Sequence, residues 1–318
     1  MYDKYKLSDE QHKAVLNKIC RNLFYGKTAT ANPQIFILGG QPGAGKSILT
    51  EKSYHKLGNG NFVVINSDEF RTQHPNAQEI FDNHDKDFAA YTDPDVRAWG
   101  SEVFDAAIKG RYNIIFEGTM RTTQICETIK HLQAENYTIN ILAMAVPEIK
   151  SRISIYARYQ EQLENYPIAR FTNRFSHDAA YHGMLDTLQK IENEKLYDTI
   201  TICNRNGDVL FKTGDKNVVN AIKKERKKPL SASDASDLLQ DCNVLLKKMT
   251  ERSESPEYIE DLQALQQQVR QKNLNERYET CFSNIHNMIH EVKNSDTCTA
   301  PHSKETSYKT PTPKNHER

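Results

Sequence analysis

At positions 39–50 the chain reads GGQPGAGKSILT, and no other stretch restricts the fold as tightly. Gly40, Gly45, Lys46 and Ser47 satisfy the spacing G-x-x-x-x-G-K-[ST], with Gln41, Pro42, Gly43 and Ala44 filling the gap. Residues 34–38 (QIFIL) read as a short buried strand, and those after Ser47 suit a helix. In that frame the glycines let the backbone curl until successive N–H groups point inward, forming an anion nest. The dipole of the following helix adds positive potential at the same point. Lys46 is then placed to reach the β- and γ-phosphates of a nucleoside triphosphate, and Ser47 to hold its Mg²⁺. An ordinary glycine-rich turn is the competing reading, but four fixed positions between a strand and a helix favour nucleotide binding.

The 318 residues allow one α/β domain with an appendage. Lysine plus arginine balance aspartate plus glutamate at 42 each, so net charge argues for neither a nucleic-acid nor a membrane partner. Six cysteines are scattered without a C-x-x-C pair, which favours neither zinc nor a disulfide framework and fits a reducing cytoplasm. No apolar run reaches the roughly 18 residues of a membrane span, and the first residues are too polar for a signal peptide.

Ser8 and Gln11 form a capping-box pattern ahead of a helical stripe through Val15, Ile19 and Leu23. A second strand at 62–66 ends in NSDEFR. Ligands of open α/β sheets lie beyond the carboxyl ends of the strands, so Asp68 is placed to take a proton from an attacking hydroxyl. It also suits a helix N-cap. Residues 73–95, broken by Pro75, Asn76, Asn83 and Pro94, read as a loop-rich insertion before a helix at 98–109. On that helix Glu102 by itself reads as a solvated charge. A third strand at 112–116 runs into Glu117 and Gly118, a position suited to orienting Mg²⁺ or a substrate hydroxyl, or to a simple turn. After a fourth strand at 138–146, a helical stretch carries Arg152 and Arg158, and Arg170 and Arg174 follow a break at Asn165-Tyr166-Pro167. Arginine forks suit phosphate oxygens, but spacing alone does not choose among the four. A fifth strand at 197–204 and an Asn206-Gly207 turn predict a hairpin. The whole reads as a P-loop α/β sandwich.

Composition changes at KKERKK, 223–228, read as a solvated linker or helix end. Three amphipathic stripes follow, around Leu238 to Met249, Ile259 to Val269 and Tyr278 to Val292, and predict a helical appendage. Beyond about residue 294 the chain is polar and aperiodic, which predicts disorder. The expected domains are 1–222, 223–293 and a tail at 294–318.

QIFILGGQPGAGKS, VVINSDEFRTQHP, YNIIFEGTMRTT, NILAMAVPEI and ARYQE…ARFT occur in the order seen in the zeta toxins, and the chain resembles that family over roughly residues 1–215. These are P-loop small-molecule kinases of bacterial toxin–antitoxin systems. The resemblance implies a kinase-like three-layer sandwich around a mostly parallel sheet, with the helical appendage added. It implies phosphoryl transfer from ATP–Mg²⁺ to the 3′-hydroxyl of the amino sugar of UDP-N-acetylglucosamine, which blocks peptidoglycan precursor synthesis. It also implies a small helical antitoxin as partner. By position, Lys46 and Ser47 match the family's P-loop pair and Asp68 its general base. Glu117, Thr119 and Arg121 match a substrate-binding segment, Glu102 a further substrate-binding glutamate, and Arg158 and Arg170 two arginines that embrace the ATP phosphates. The pattern departs in three places. The connection from Glu102 to FEGT and the segment between the two arginines are each one residue short, and Thr128 precedes its expected position, which Ile129 occupies. These departures bear on the acceptor more than on the phosphoryl chemistry. Asp68-x-x-Arg71 after a P-loop also suits a polynucleotide 5′-hydroxyl kinase, and a nucleotide-binding regulatory protein acting through its C-terminal helices is the third reading.

Overall fold

The computed structural model describes residues 2–58 and 60–274. Its centre is a six-stranded sheet in the order β2-β3-β1-β4-β5-β6. The strands are β1 (Gln34–Gly39), β2 (Phe62–Ile65), β3 (Asn113–Glu117), β4 (Thr138–Met144), β5 (Thr199–Cys203) and β6 (Val209–Lys212). The first five pair in parallel, and β6 closes the edge antiparallel to β5. The β5–β6 turn is the expected hairpin, with Gly207 at φ 86° and the Asn204 carboxamide oxygen accepting from the amides of Asn206 and Asp208. The sheet order reverses at β1, so the phosphate-loop motif emerges where an open sheet leaves a crevice.

Strand alternation puts the two faces of β1 into different cores. Ile35 and Ile37 pack with the stripes of α1 (Asp9–Phe24), α4 (Phe88–Lys109), α5 (Gln124–Ala134), α7 (Arg174–Glu194) and α8 (Val218–Arg226). Phe36 and Leu38 pack with Ile48 and Leu49 of α2 (Ser47–Leu57). The result is the three-layer P-loop kinase-like α/β fold. The Ser8–Gln11 capping box is made at the start of α1, in both directions.

Two expectations fail on local grounds. Residues 77–95 of this stretch are helical rather than loop-rich: α3 (Ala77–His84) and a 3-10 turn (Asp85–Asp87) lead into α4, which contains Pro94. A proline inside a helix costs about 3 kcal/mol. Phe88, Val96, Trp99 and Val103 recur at helical spacing around it and are buried, each contributing roughly 1.5–3 kcal/mol, which outweighs the break. Asp68 is not an N-cap either. Asn66 caps the 3-10 segment Ser67–Gln73 by accepting from the Asp68 amide, which leaves the Asp68 carboxylate free for other partners.

A separate core joins α6 (Glu148–Asn165) to the C-terminal helices, α9 (Ala232–Glu251) and α10, helical from 256 through 274. Ile149, Ile153 and Tyr156 of α6 meet Leu238, Cys242, Leu245, Met249, Leu262, Leu265 and Val269. Polar ties reinforce the contact. Asp261 takes Arg152 at 2.6 Å and the Tyr156 hydroxyl at 2.8 Å, and Lys86 reaches Glu254 at 2.7 Å. The appendage is therefore packed on the kinase-like core, and the boundary expected at 222/223 falls inside α8. The expected third stripe, Tyr278 to Val292, and the tail lie outside the described residues.

Candidate active site

The loop after β1 is built as its sequence demands. Gly43 and Gly45 take φ of 76° and 83°, conformations that side-chain-bearing residues rarely adopt. A Cβ on Gly43 would also lie 2.0 Å from the Ser151 carbonyl oxygen, so the loop sits directly against α6. Lys46 folds back to donate to the Gly40 carbonyl at 3.0 Å, and Ser47 is the exposed first residue of α2. Gln41 points the other way, into the interior, with its side chain fully buried.

Beside the loop opens a cleft of about 850 Å³. Pro42 and Lys46 line it from the loop, and Arg158 and Arg170 from α6 and the segment after it. Asn66, Asp68, Glu69 and Arg71 line it from the 3-10 segment and its cap, and Glu117, Gly118 and Thr119 from the end of β3. Six residues singled out in the sequence, Lys46, Asp68, Glu117, Thr119, Arg158 and Arg170, thus converge on one cavity. No residue of α9 or of the described part of α10 lines it.

Asp68 is the hub. Its carboxylate takes Arg170 Nη1 at 2.7 Å and Arg71 Nε at 3.0 Å. Burial pushes its pKa up, but Arg170 and Arg71 outweigh burial and hold it at about 2. Arg71 has further partners: the Ala89 carbonyl at 2.7 Å, the Thr92 hydroxyl at 3.0 Å and Asp93 at 3.2 Å. The aspartate–arginine spacing of three was visible in the sequence, but its use as an anchor for Asp68 was not. Lys46 loses affinity for its proton through burial, opposed by Glu117 and Asp68, and its pKa falls to about 8. Burial and the neighbouring Arg170 lower Arg158 to about 10. The Arg158 Nη2 group donates to Thr172 at 3.0 Å, while its buried Nε has no partner among the described residues. An unpaired buried guanidinium N–H is costly, and an anion in the cleft would satisfy it.

Acidic residues line the cleft from the ends of β2 and β3. Asn66 Nδ2 bridges Glu69 at 3.3 Å and Glu117 at 3.4 Å. Burial, with Glu117 and Asp68 nearby, raises the Glu69 pKa, and a hydrogen bond from Asn66 opposes the shift. Thr119 also borders a neighbouring hollow of about 280 Å³, where Arg121 and Thr128 lie; neither lines the main cleft.

Glu102 stands apart. Its carboxylate lies 2.7 Å from His12 Nε2, where α1 meets α4, and it lines neither cavity. Of the four arginines, Arg152 is held by Asp261 and Arg174 pairs with Asp178, so only Arg158 and Arg170 reach the cleft.

The zeta toxin family model matches residues 21–216, more than half of the chain. The chain is 29% identical over 266 residues to toxin zeta of Streptococcus pyogenes, covering 81% of this chain and 92% of that protein. It is 34% identical over 191 residues to toxin zeta of Enterococcus hirae, covering 59% of this chain and 66% of that one. Among solved structures, a chain of the PezAT chromosomal toxin–antitoxin system of Streptococcus pneumoniae superposes with a TM-score of 0.65 at 24% identity, covering 78% of this chain and 98% of that chain. The protein described here belongs to the zeta toxin family.

Proposed function

We propose that the protein is an ATP-dependent kinase that phosphorylates a hydroxyl of a UDP-activated amino sugar, with UDP-N-acetylglucosamine and its 3′-hydroxyl as the first candidate. The observation that carries the reading is the cleft itself. Lys46, Arg158 and Arg170 line it together with Asp68 and Glu117, and the buried Arg158 Nε–H lacks an acceptor among the described residues. The cations suit a triphosphate, and the carboxylates suit the hydroxyls of a sugar.

In this mechanism Lys46, Arg158 and Arg170 stabilise charge on the transferring phosphoryl group, and Asp68 orients the attacking hydroxyl and accepts its proton. A carboxylate held at about 2 is a feeble base. A triphosphate competes for Arg170 and so loosens the 2.7 Å pair that suppresses Asp68. Arg71 stays behind, fixed by Ala89, Thr92 and Asp93, and keeps the carboxylate in place. The Ser47 hydroxyl is a hard oxygen donor that fits Mg²⁺ and would hold it. Mg²⁺ held there would supply positive charge to offset that of the transferring phosphoryl group.

The polynucleotide-kinase reading is less favoured, because Arg71 already donates to Asp68, Ala89, Thr92 and Asp93 and the overall charge is balanced. Because the relatives are named as toxins, the same reading makes this chain a cytoplasmic toxin that depletes peptidoglycan precursors and is neutralised by a small helical antitoxin. The test is an acceptor screen read by mass spectrometry. ATP and Mg²⁺ are incubated with the protein and, separately, several UDP-sugars and a 5′-hydroxyl oligonucleotide. A phosphorylated UDP-amino sugar is the expected product. Phosphate on the oligonucleotide alone, or on no acceptor, would contradict the proposal.

A further inference from the structure

The basic run 223–228 reads as solvated in the sequence and lies past the segment matched by the family model. Arg226, the last residue of α8, departs from that reading. Its guanidinium lies 3.8 Å from the centre of the Tyr181 ring, and Nη1 donates to the Tyr181 carbonyl at 2.6 Å. Nη2 donates to Gln41 Oε1, inside the phosphate loop, at 3.3 Å. We propose that Arg226 is a positioning residue for that loop, acting through the buried Gln41 carboxamide.

Gln41 has 0% of its surface exposed, so both ends of its amide need partners. Nε2 donates to the Val146 carbonyl at 2.9 Å and to Ser151 Oγ at 3.3 Å. Oε1 accepts from Arg226. Ser151 is itself fixed, donating to the Glu148 carbonyl at 2.9 Å with His177 Nε2 at 2.9 Å. The loop is therefore tied at one residue to the end of β4, to α6 and to α8, and through Arg226 to α7. Gln41 follows Gly40, whose carbonyl holds Lys46 at 3.0 Å, and precedes the left-handed glycines. A carboxamide that lost its Arg226 partner would leave a buried acceptor unsatisfied, and the cheapest relief is for the loop to shift. Arg226 thus acts on nucleotide affinity without touching the nucleotide.

This inference rests on reading the loop as the nucleotide site, and its test separates the two. Binding of a fluorescent ATP analogue with Mg²⁺ is measured for wild type, Gln41→Leu, Arg226→Met and the double variant. Thermal melts and the acceptor KM are taken alongside. Arg226→Met is expected to weaken nucleotide binding about tenfold, the loss of one charge-assisted hydrogen bond, with acceptor KM unchanged. In the Gln41→Leu background the same change is expected to add nothing. Arg226→Lys keeps the charge without the fork, so an intermediate loss is expected, and it carries the same cycle if Arg226→Met does not fold. A folded Arg226 variant with wild-type nucleotide affinity, or losses that simply add with those of Gln41→Leu, would overturn the inference alone. A wild type that binds no nucleotide would overturn the reading of the loop as well.

Discussion

The two walls of the cleft are held in different ways. The cationic wall is backed by buried structure. Gln41 ties the loop to β4, α6 and α8, and α6, which carries Arg158, is packed from behind by α9 and α10. The acidic wall is a single polar layer in which Asn66 bridges Glu69 and Glu117 at the ends of β2 and β3. Asp68 is held by two arginines, Arg71 at 3.0 Å and Arg170 at 2.7 Å. On the proposed function, the nucleotide side is held by many buried contacts, whereas the acceptor side rests on few and can change by few substitutions.

Lys46→Ala breaks the comparison most severely. It removes the cation nearest the loop, and phosphoryl transfer is expected to fall by roughly 10²–10³-fold in a steady-state assay, as for loss of one transition-state donor. Leu262→Ala, a fully buried position behind α6, tests whether the backing matters. It is expected to lower stability by about 2–5 kcal/mol in a denaturant titration. Glu117→Gln sharpens the contrast from the other wall. The acceptor KM is expected to rise by about tenfold, the value of one lost charge-assisted hydrogen bond, while nucleotide affinity stays within about twofold. The smallest effect is on pH dependence. Lys46 binds phosphate only when protonated, and burial lowers its pKa to about 8. Nucleotide affinity measured by titration is thus expected to be flat from pH 6 to 7 and to fall by up to roughly tenfold per pH unit above about 8.

How much of this was legible in the sequence follows the range of the forces involved. The phosphate loop, the capping box at Ser8 and the Asn206-Gly207 turn are written within a few residues, and each is where local chemistry puts it. Pro94 misled because local breaking was weighed without the burial of Trp99 and Val103, which keeps α4 continuous. Choosing Arg158 and Arg170 over Arg152 and Arg174 depends on Asp261 and Asp178 claiming the other two, which spacing does not reveal. The family resemblance named the same pair. Glu102 shows the converse: the resemblance attached it to the acceptor, but it pairs with His12 and lines neither the cleft nor the hollow beside it. Arg226 lay inside a lysine-rich run whose other members gave no reason to expect a buried partner.

On the proposed function, Asp68 serves the acceptor and is masked by Arg170 until nucleotide arrives. Asp68→Asn tests it with two readings on one protein, ATP affinity by calorimetry and phosphorylation of UDP-N-acetylglucosamine by mass spectrometry. Removing the carboxylate frees Arg170, so the account predicts ATP affinity equal to or above wild type, with turnover down by about 10²–10⁴-fold. Turnover near the wild-type rate, or loss of ATP binding by a folded variant, would contradict it.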